Sequence, residues 1–122
     1  MKVLLGVGGS SDSLTALEAT VERALAADDE LTVAVVENPR SDIDPDEVER
    51  RVREELSTVP VEAEVRRVEG DGGSRLVEIA ESEGFDQIAL GGGQTSPMGK
   101  INIGSIAEFV LLNAPVSVHL VR

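Results

Sequence analysis

Gly91-Gly92-Gly93-Gln94-Thr95-Ser96-Pro97-Met98-Gly99-Lys100-Ile101-Asn102-Ile103-Gly104-Ser105 is the stretch from which the rest of this 122-residue chain can be read. The short apolar run Gln87-Ile88-Ala89-Leu90 leads into it and predicts a buried strand. Three consecutive glycines then let the backbone take conformations closed to other residues and approach a ligand closely. The polar loop that follows carries no acidic side chain. At its end, Ser105-Ile106-Ala107-Glu108 has the capping-box spacing, which predicts a helix opened by Ser105. Strand, glycine-rich loop and helix start together suit an anion. Free backbone N–H groups and the positive end of the helix dipole meet at one place. The pattern therefore suggests nucleotide or phosphate binding.

Outward from this stretch, strands and helices alternate. Lys2-Val3-Leu4-Leu5-Gly6-Val7 is nearly continuous in apolar character, as expected of a strand covered on both faces of a parallel sheet. Gly8-Gly9-Ser10-Ser11 is a turn at its C-terminal end, and Ser11, Asp12 or Ser13 is placed to cap a helix whose inward face is Leu14, Leu17, Val21 and Leu25. Residues 31–36 form the second predicted strand. Asp44-Pro45-Asp46-Glu47 is a strong helix start, with Val48, Val52 and Leu56 as its apolar stripe. Its charges fall four apart, as Glu47/Arg51, Glu49/Arg53, Arg50/Glu54 and Arg51/Glu55, and read as a solvated face. Residues 61–68 alternate apolar and polar at their start, which places a third strand at a sheet edge. The loop 69–74 ends in cap candidates for a third helix with Leu76, Ile79 and Ala80 inward and Gly84 as its stop. After the glycine-rich loop, a fourth helix carries Ile106, Phe109, Val110 and Leu111. Asn113-Ala114-Pro115 ends it, and residues 116–121 form a fifth strand.

This alternation predicts an α/β fold: a doubly wound three-layer α/β/α sandwich with a five-stranded parallel sheet in the order 3-2-1-4-5, in one domain over residues 1–122. Ligands bind such sheets beyond the strand C-termini, where the strand order reverses. The reversal falls between strands 1 and 4, next to the two glycine-rich loops, residues 8–11 and 91–100.

Composition narrows the function. A net charge of −12 argues against nucleic acid and against anionic membrane surfaces as partners. Of the 23 acidic residues, 22 lie between Asp12 and Asp86, so the last third of the chain is expected to be buried, in an interface or facing an anion. Only Lys2 and Lys100 are lysines among 11 basic residues, and an acid-rich, lysine-poor surface points to a halophilic source. There is no cysteine, no apolar run long enough to span a membrane, and an N-terminal apolar run too short for a signal peptide, so a cytoplasmic location is expected. One histidine and no cysteine leave nothing from which to assemble a catalytic set or a histidine metal cluster. His119 is read as structural or as an interface residue.

With these motifs in place, the chain resembles the universal stress protein family over its whole length. The likeness rests on the Gly-Ser turn after strand 1, Asp86-Gln87-Ile88, the long loop, Gly104-Ser105-Ile106-Ala107-Glu108 and Asn113-Ala114-Pro115-Val116. ATP-binding members carry Gly, two residues, Gly, nine residues, Gly, then Ser or Thr. Gly91, Gly104 and Ser105 match this pattern, whereas the second glycine falls at Gln94. Gly8 stands where many members have an aspartate that contacts the nucleotide.

The resemblance implies ATP or a related adenine nucleotide, with Mg2+, as a regulatory ligand without dedicated catalysis. The backbone of Val35 and Val36 would meet the adenine, core packing being the other reading of these valines. The resemblance also implies a homodimer through the C-terminal strand, residues 116–121. Candidate nucleotide-binding residues are Gly8, Gly9, Ser10, Val36, Gly91, Gly92, Gly93, Gln94, Thr95, Lys100, Gly104, Ser105 and Ile106. Among them, Lys100 is a candidate phosphate partner and Thr95, with Ser96, a hydroxyl donor. Ser10 and Ser11 serve as caps or as ligand contacts. The alternative is a dimeric interaction module of the same family that binds no nucleotide. An enzyme transferring or hydrolysing phosphate would need a metal-binding acid near the loop, and the sequence has none there.

Overall fold

The computed structural model describes residues 1–9, 11–38, 43–91, 94–95, 101–102 and 104–121. The elements in order are β1 (Lys2–Val7), α1 (Ser11–Ala27), β2 (Glu30–Val36), α2 (Pro45–Ser57), β3 (Ala63–Val68), α3 (Gly72–Ser82), β4 (Gln87–Gly91), β5 (Gln94–Thr95), β6 (Ile101–Asn102), α4 (Ser105–Asn113) and β7 (Ser117–Val121). Five of the strands form a parallel sheet in the order β3-β2-β1-β4-β7. This is the predicted α/β topology, with β7 as the fifth strand. The sequence pattern did not reveal β5 and β6. These two-residue strands pair antiparallel within the glycine-rich loop, Gln94 opposite Asn102 and Thr95 opposite Ile101, and are too short to show a period.

The sheet separates two apolar layers. On one face α1 and α2 cover Val3, Leu5, Val7, Val33, Val35 and Ala89 with Leu17, Val21, Val48 and Val52. On the other, α3 and α4 cover Leu4, Val36, Ile88 and Leu90 with Leu76, Ile79, Ala107 and Val110. Alternate residues of β1 thus feed opposite cores, which is why its sequence is apolar throughout. Truncating a fully buried side chain such as Leu5 or Ile88 to alanine would cost about 2–5 kcal/mol.

Local signals set most element ends. Asp44 caps α2 by accepting from the Asp46 N–H at 2.8 Å, with Pro45 in the first turn, and Asp71 caps α3 by accepting from the Ser74 N–H at 3.0 Å. Gly84 follows α3 at φ 69°, the left-handed conformation that stops a helix. In α1 the inward series is Ser13, Ala16, Leu17, Thr20, Val21 and Ala24, so Leu25 lies outside the buried stripe and is 40% exposed. That helix begins at Ser11. β3 lies at an edge, as its alternation predicts. Arg66 on this strand bridges Glu64 at 2.7 Å and Glu83 at 2.6 Å. On α2 the Arg50–Glu54, Glu47–Arg51 and Glu49–Arg53 pairs form, at 2.8, 3.1 and 3.2 Å. No helix among the described residues is long and apolar enough to cross a membrane.

Candidate functional site: a cleft at the C-terminal mouth of the sheet

Three helix starts converge where β2 and β3 end. The cleft between them, about 490 Å³, is lined by Glu37 and Asn38 after β2, Pro45 of α2, Gly70 to Gly72 at the start of α3, and Ser105 and Ile106 of α4. This volume suits a ligand of nucleotide size.

The three helix starts are not equivalent. Carboxylates cap α2 and α3, and the Ser74 backbone N–H bonded to Asp71 holds that carboxyl below its usual range, so it stays charged. The residue before α4 is Gly104, which offers no side-chain cap. The capping box predicted for Ser105 and Glu108 therefore does not form: Ser105 is the first residue inside the helix, and the Glu108 N–H bonds to the Gly104 carbonyl at 2.9 Å. The N–H groups ahead of Glu108 have no acceptor within their own helix, and Ser105 is exposed. Among the described residues no side chain caps these amides, and α4 brings them, with the positive end of its dipole, to the cleft.

Close packing holds this helix start in place. A Cβ on Gly72 would stand 3.1 Å from Ile106 Cδ1 and 3.2 Å from Val36 Cβ, so Gly72 sits where α3, α4 and β2 meet. On the β1 side, a Cβ on Gly8 would stand 3.2 Å from Asn38 Cβ and 3.3 Å from its Nδ2. The absence of a side chain at Gly8 is what admits Asn38.

The structure brings only part of the expected set together. Ser105 and Ile106 line the cleft, and Gly104 lies at its edge as the residue capping α4. Gly8 backs it through Asn38, and Gly9 takes φ 84° in the turn after β1. Val36 is 3% exposed and packs in the core behind Gly72. Gly91 ends β4 opposite Val121, and Gln94 and Thr95 form β5. Ser10, Gly92, Gly93, Ser96 and Lys100 lie outside the described residues. His119 lies away from the cleft, on β7, in a smaller hollow beneath α1 that it shares with Thr20, Arg23 and Gln87.

Sequence reasoning missed Glu37, Asn38, Pro45, Gly70, Asp71 and Gly72 as cleft residues. The rule that ligands bind beyond the C-termini of parallel strands applies to β2 and β3 as well as to β1 and β4. The available signal was therefore the residues that follow each strand.

The sequence model of the Universal stress protein family matches residues 1–122. The chain belongs to this family. A universal stress protein of Methanothermobacter thermautotrophicus is 43% identical over 54 residues, a stretch that is 44% of this chain and 36% of that protein. The universal stress protein structure from Archaeoglobus fulgidus superimposes with a TM-score of 0.80 at 20% identity, covering 100% of this chain and 98% of that one. Another universal stress protein, solved in complex with cAMP, gives a TM-score of 0.77 at 22% identity over 100% of this chain and 96% of its own. At these identities the structural likeness establishes the universal stress protein fold, which the chain shares from end to end.

Proposed function

We propose that this universal stress protein domain binds an adenine nucleotide as a regulatory ligand, without dedicated catalysis, in the cleft where α4 begins. The uncapped start of α4 carries this reading. Its amides face a cleft of nucleotide size, while the neighbouring starts of α2 and α3 are closed by their own aspartates. The family, and the cAMP held by a neighbour of the same fold, support adenine as the base. Phosphate would lie against Ser105 and Ile106, with Gly91, Gly92, Gly93 and Lys100 contributed by the loop. ATP remains within this ligand class, its Mg2+ held chiefly by the phosphates themselves.

The active form we propose is a cytoplasmic homodimer joined through β7. That strand is the open edge of the sheet opposite β3, and its side chains are only partly buried.

Calorimetric titration with AMP, cAMP and ATP in high salt tests the reading. Saturable binding of at least one of them, weakened by an acidic residue at position 105, is expected. No heat with any of the three at millimolar concentration would overturn it, in favour of an interaction module that binds no nucleotide.

A further inference from the structure

We infer that the small hollow beneath α1 binds a chloride ion, held by the Thr20 hydroxyl, the Gln87 amide and the Arg23 guanidinium. This site is separate from the nucleotide cleft and does not depend on it.

Thr20 and Arg23 reach the hollow from α1, Gln87 from β4 and His119 from β7, and Asp29 lines it as well; its other walls are valine and alanine. Thr20 shows what the hollow lacks. The residue is 6% exposed, and its hydroxyl bonds to no group of the protein. A helical threonine can return its hydroxyl to a carbonyl one turn earlier, and Thr20 does not. A buried hydroxyl left in this way weakens the fold unless something in the hollow meets it. Gln87 is also buried, a polar residue in an otherwise apolar strand.

The charges favour an anion. Arg50, Arg51, Arg53, Arg66, Arg67 and Arg75 each pair with a carboxylate. Arg23 pairs with none among the described residues, in a chain where acids outnumber bases 23 to 11. Asp29 is committed elsewhere, to the Met1 amine at 2.9 Å, which offsets its charge. The hollow is left with one positive charge and with hydroxyl, amide and guanidinium donors. An anion accepts from all three, and hydrogen bonds to an ion are about twice as strong as neutral ones. A water molecule would meet Thr20 but leave the charge of Arg23 unanswered, and a cation would oppose it.

Size selects the kind of anion. The hollow holds about 30 Å³. At about 10–15 Å³ for each water-sized particle, this admits one or two of them and excludes a nucleotide.

The test compares thermal unfolding in about 1 M potassium chloride and about 1 M potassium gluconate, whose anion is too large for the hollow; screening is the same in both. The midpoint should be about 2–6 °C higher in chloride. Thr20→Val and Arg23→Gln should each abolish that difference, whereas Arg53→Gln, on the solvated face of α2, should keep it. In gluconate Thr20→Val should unfold no lower than the unaltered protein, since it removes an unmet hydroxyl. Crystals grown in bromide should show anomalous scattering beside Thr20 Oγ1. Equal midpoints in the two salts, or a difference that Thr20→Val retains, overturn the site. So does a water or a side chain of a second copy filling the hollow. A bromide peak that persists in Thr20→Val is an adventitious ion only and overturns it too.

Discussion

Gly73 and Phe109 lock α3 to α4: a Cβ on Gly73 would stand 2.9 Å from Phe109 Cδ1, 3.0 Å from its Cβ and 3.1 Å from its Cγ. Because the clash reaches the root of the phenylalanine, a rotamer change cannot relieve it and α4 itself must shift. Gly73→Ala is therefore expected to cost about 1–3 kcal/mol by denaturant unfolding and to weaken ligand binding by moving Ser105. Gly104→Ala, which meets open space, should cost under about 1 kcal/mol. Equal stability of the two variants would show that this contact does not position the helix.

The uncapped start of α4 makes a prediction in which stability and binding part company. Ser105→Asp places a carboxylate in the first turn, where it complements the helix dipole and should stabilise the fold by about 0.3–1 kcal/mol. The same charge occupies the place proposed for phosphate, so nucleotide affinity should fall at least about tenfold. Thermal unfolding and calorimetry on one sample decide this, and undiminished affinity would remove α4 from the phosphate site.

The ion pairs of α2 predict a dependence on pH. Hydrogen bonds from Arg50, then from Arg51, lower the Glu47 carboxyl from an ordinary 4.5 to about 2. A carboxyl with a depressed folded pKa binds fewer protons in the folded chain than in the unfolded one. Its stabilising contribution is complete above pH 4.5 and is lost as the pH falls through about 2. An NMR titration of the Glu47 side chain should show the lowered midpoint. Arg50→Gln should return it toward the ordinary value, and the shift should shrink in high salt because the pair faces solvent.

Leu112 is 77% exposed, with Leu111 at 42% and Phe109 at 37% on the same helix, and α4 packs beside the open edge strand β7. In the proposed dimer this apolar surface lies next to the paired strands. Leu112→Glu is expected to weaken self-association at least tenfold, since burying one leucine is worth about 1.5–3 kcal/mol. Sedimentation over a range of concentrations checks it. A monomer at every concentration, before any substitution, would contradict the dimer.

A net charge of −12 predicts that salt stabilises this fold. Raising KCl from about 0.1 M to about 1 M shortens the screening length from about 10 Å to about 3 Å and damps repulsion among the acids. The thermal midpoint should rise across that range, and a fall would remove the argument for a salt-rich source.

The architecture was largely legible in the sequence because it follows from periodicity. A nearly continuous apolar run at Lys2–Val7 requires cover on both faces, and alternation before Val68 requires an edge. The caps Asp44 and Asp71 announce their helices through side-chain bonds two and three residues away. Each signal spans a few neighbouring residues, so the chain carries it without reference to the rest of the fold.

Contacts between distant residues lie outside that reach. The capping-box spacing at Ser105 is present in the sequence, yet the helix begins one residue early and Gly104 takes the capping position, so the spacing alone does not decide the outcome. The placing of Asn38 against Gly8, of Gly72 between Ile106 and Val36, and of Gly73 against Phe109 unites residues some thirty or more positions apart. Local pattern determined every element but β5 and β6, and their alternation, with the rules for connecting parallel strands, the order of the main sheet. Only packing among those elements decided which residues face the cleft, because a hollow belongs to the several surfaces that fail to fill it and to no single stretch of chain.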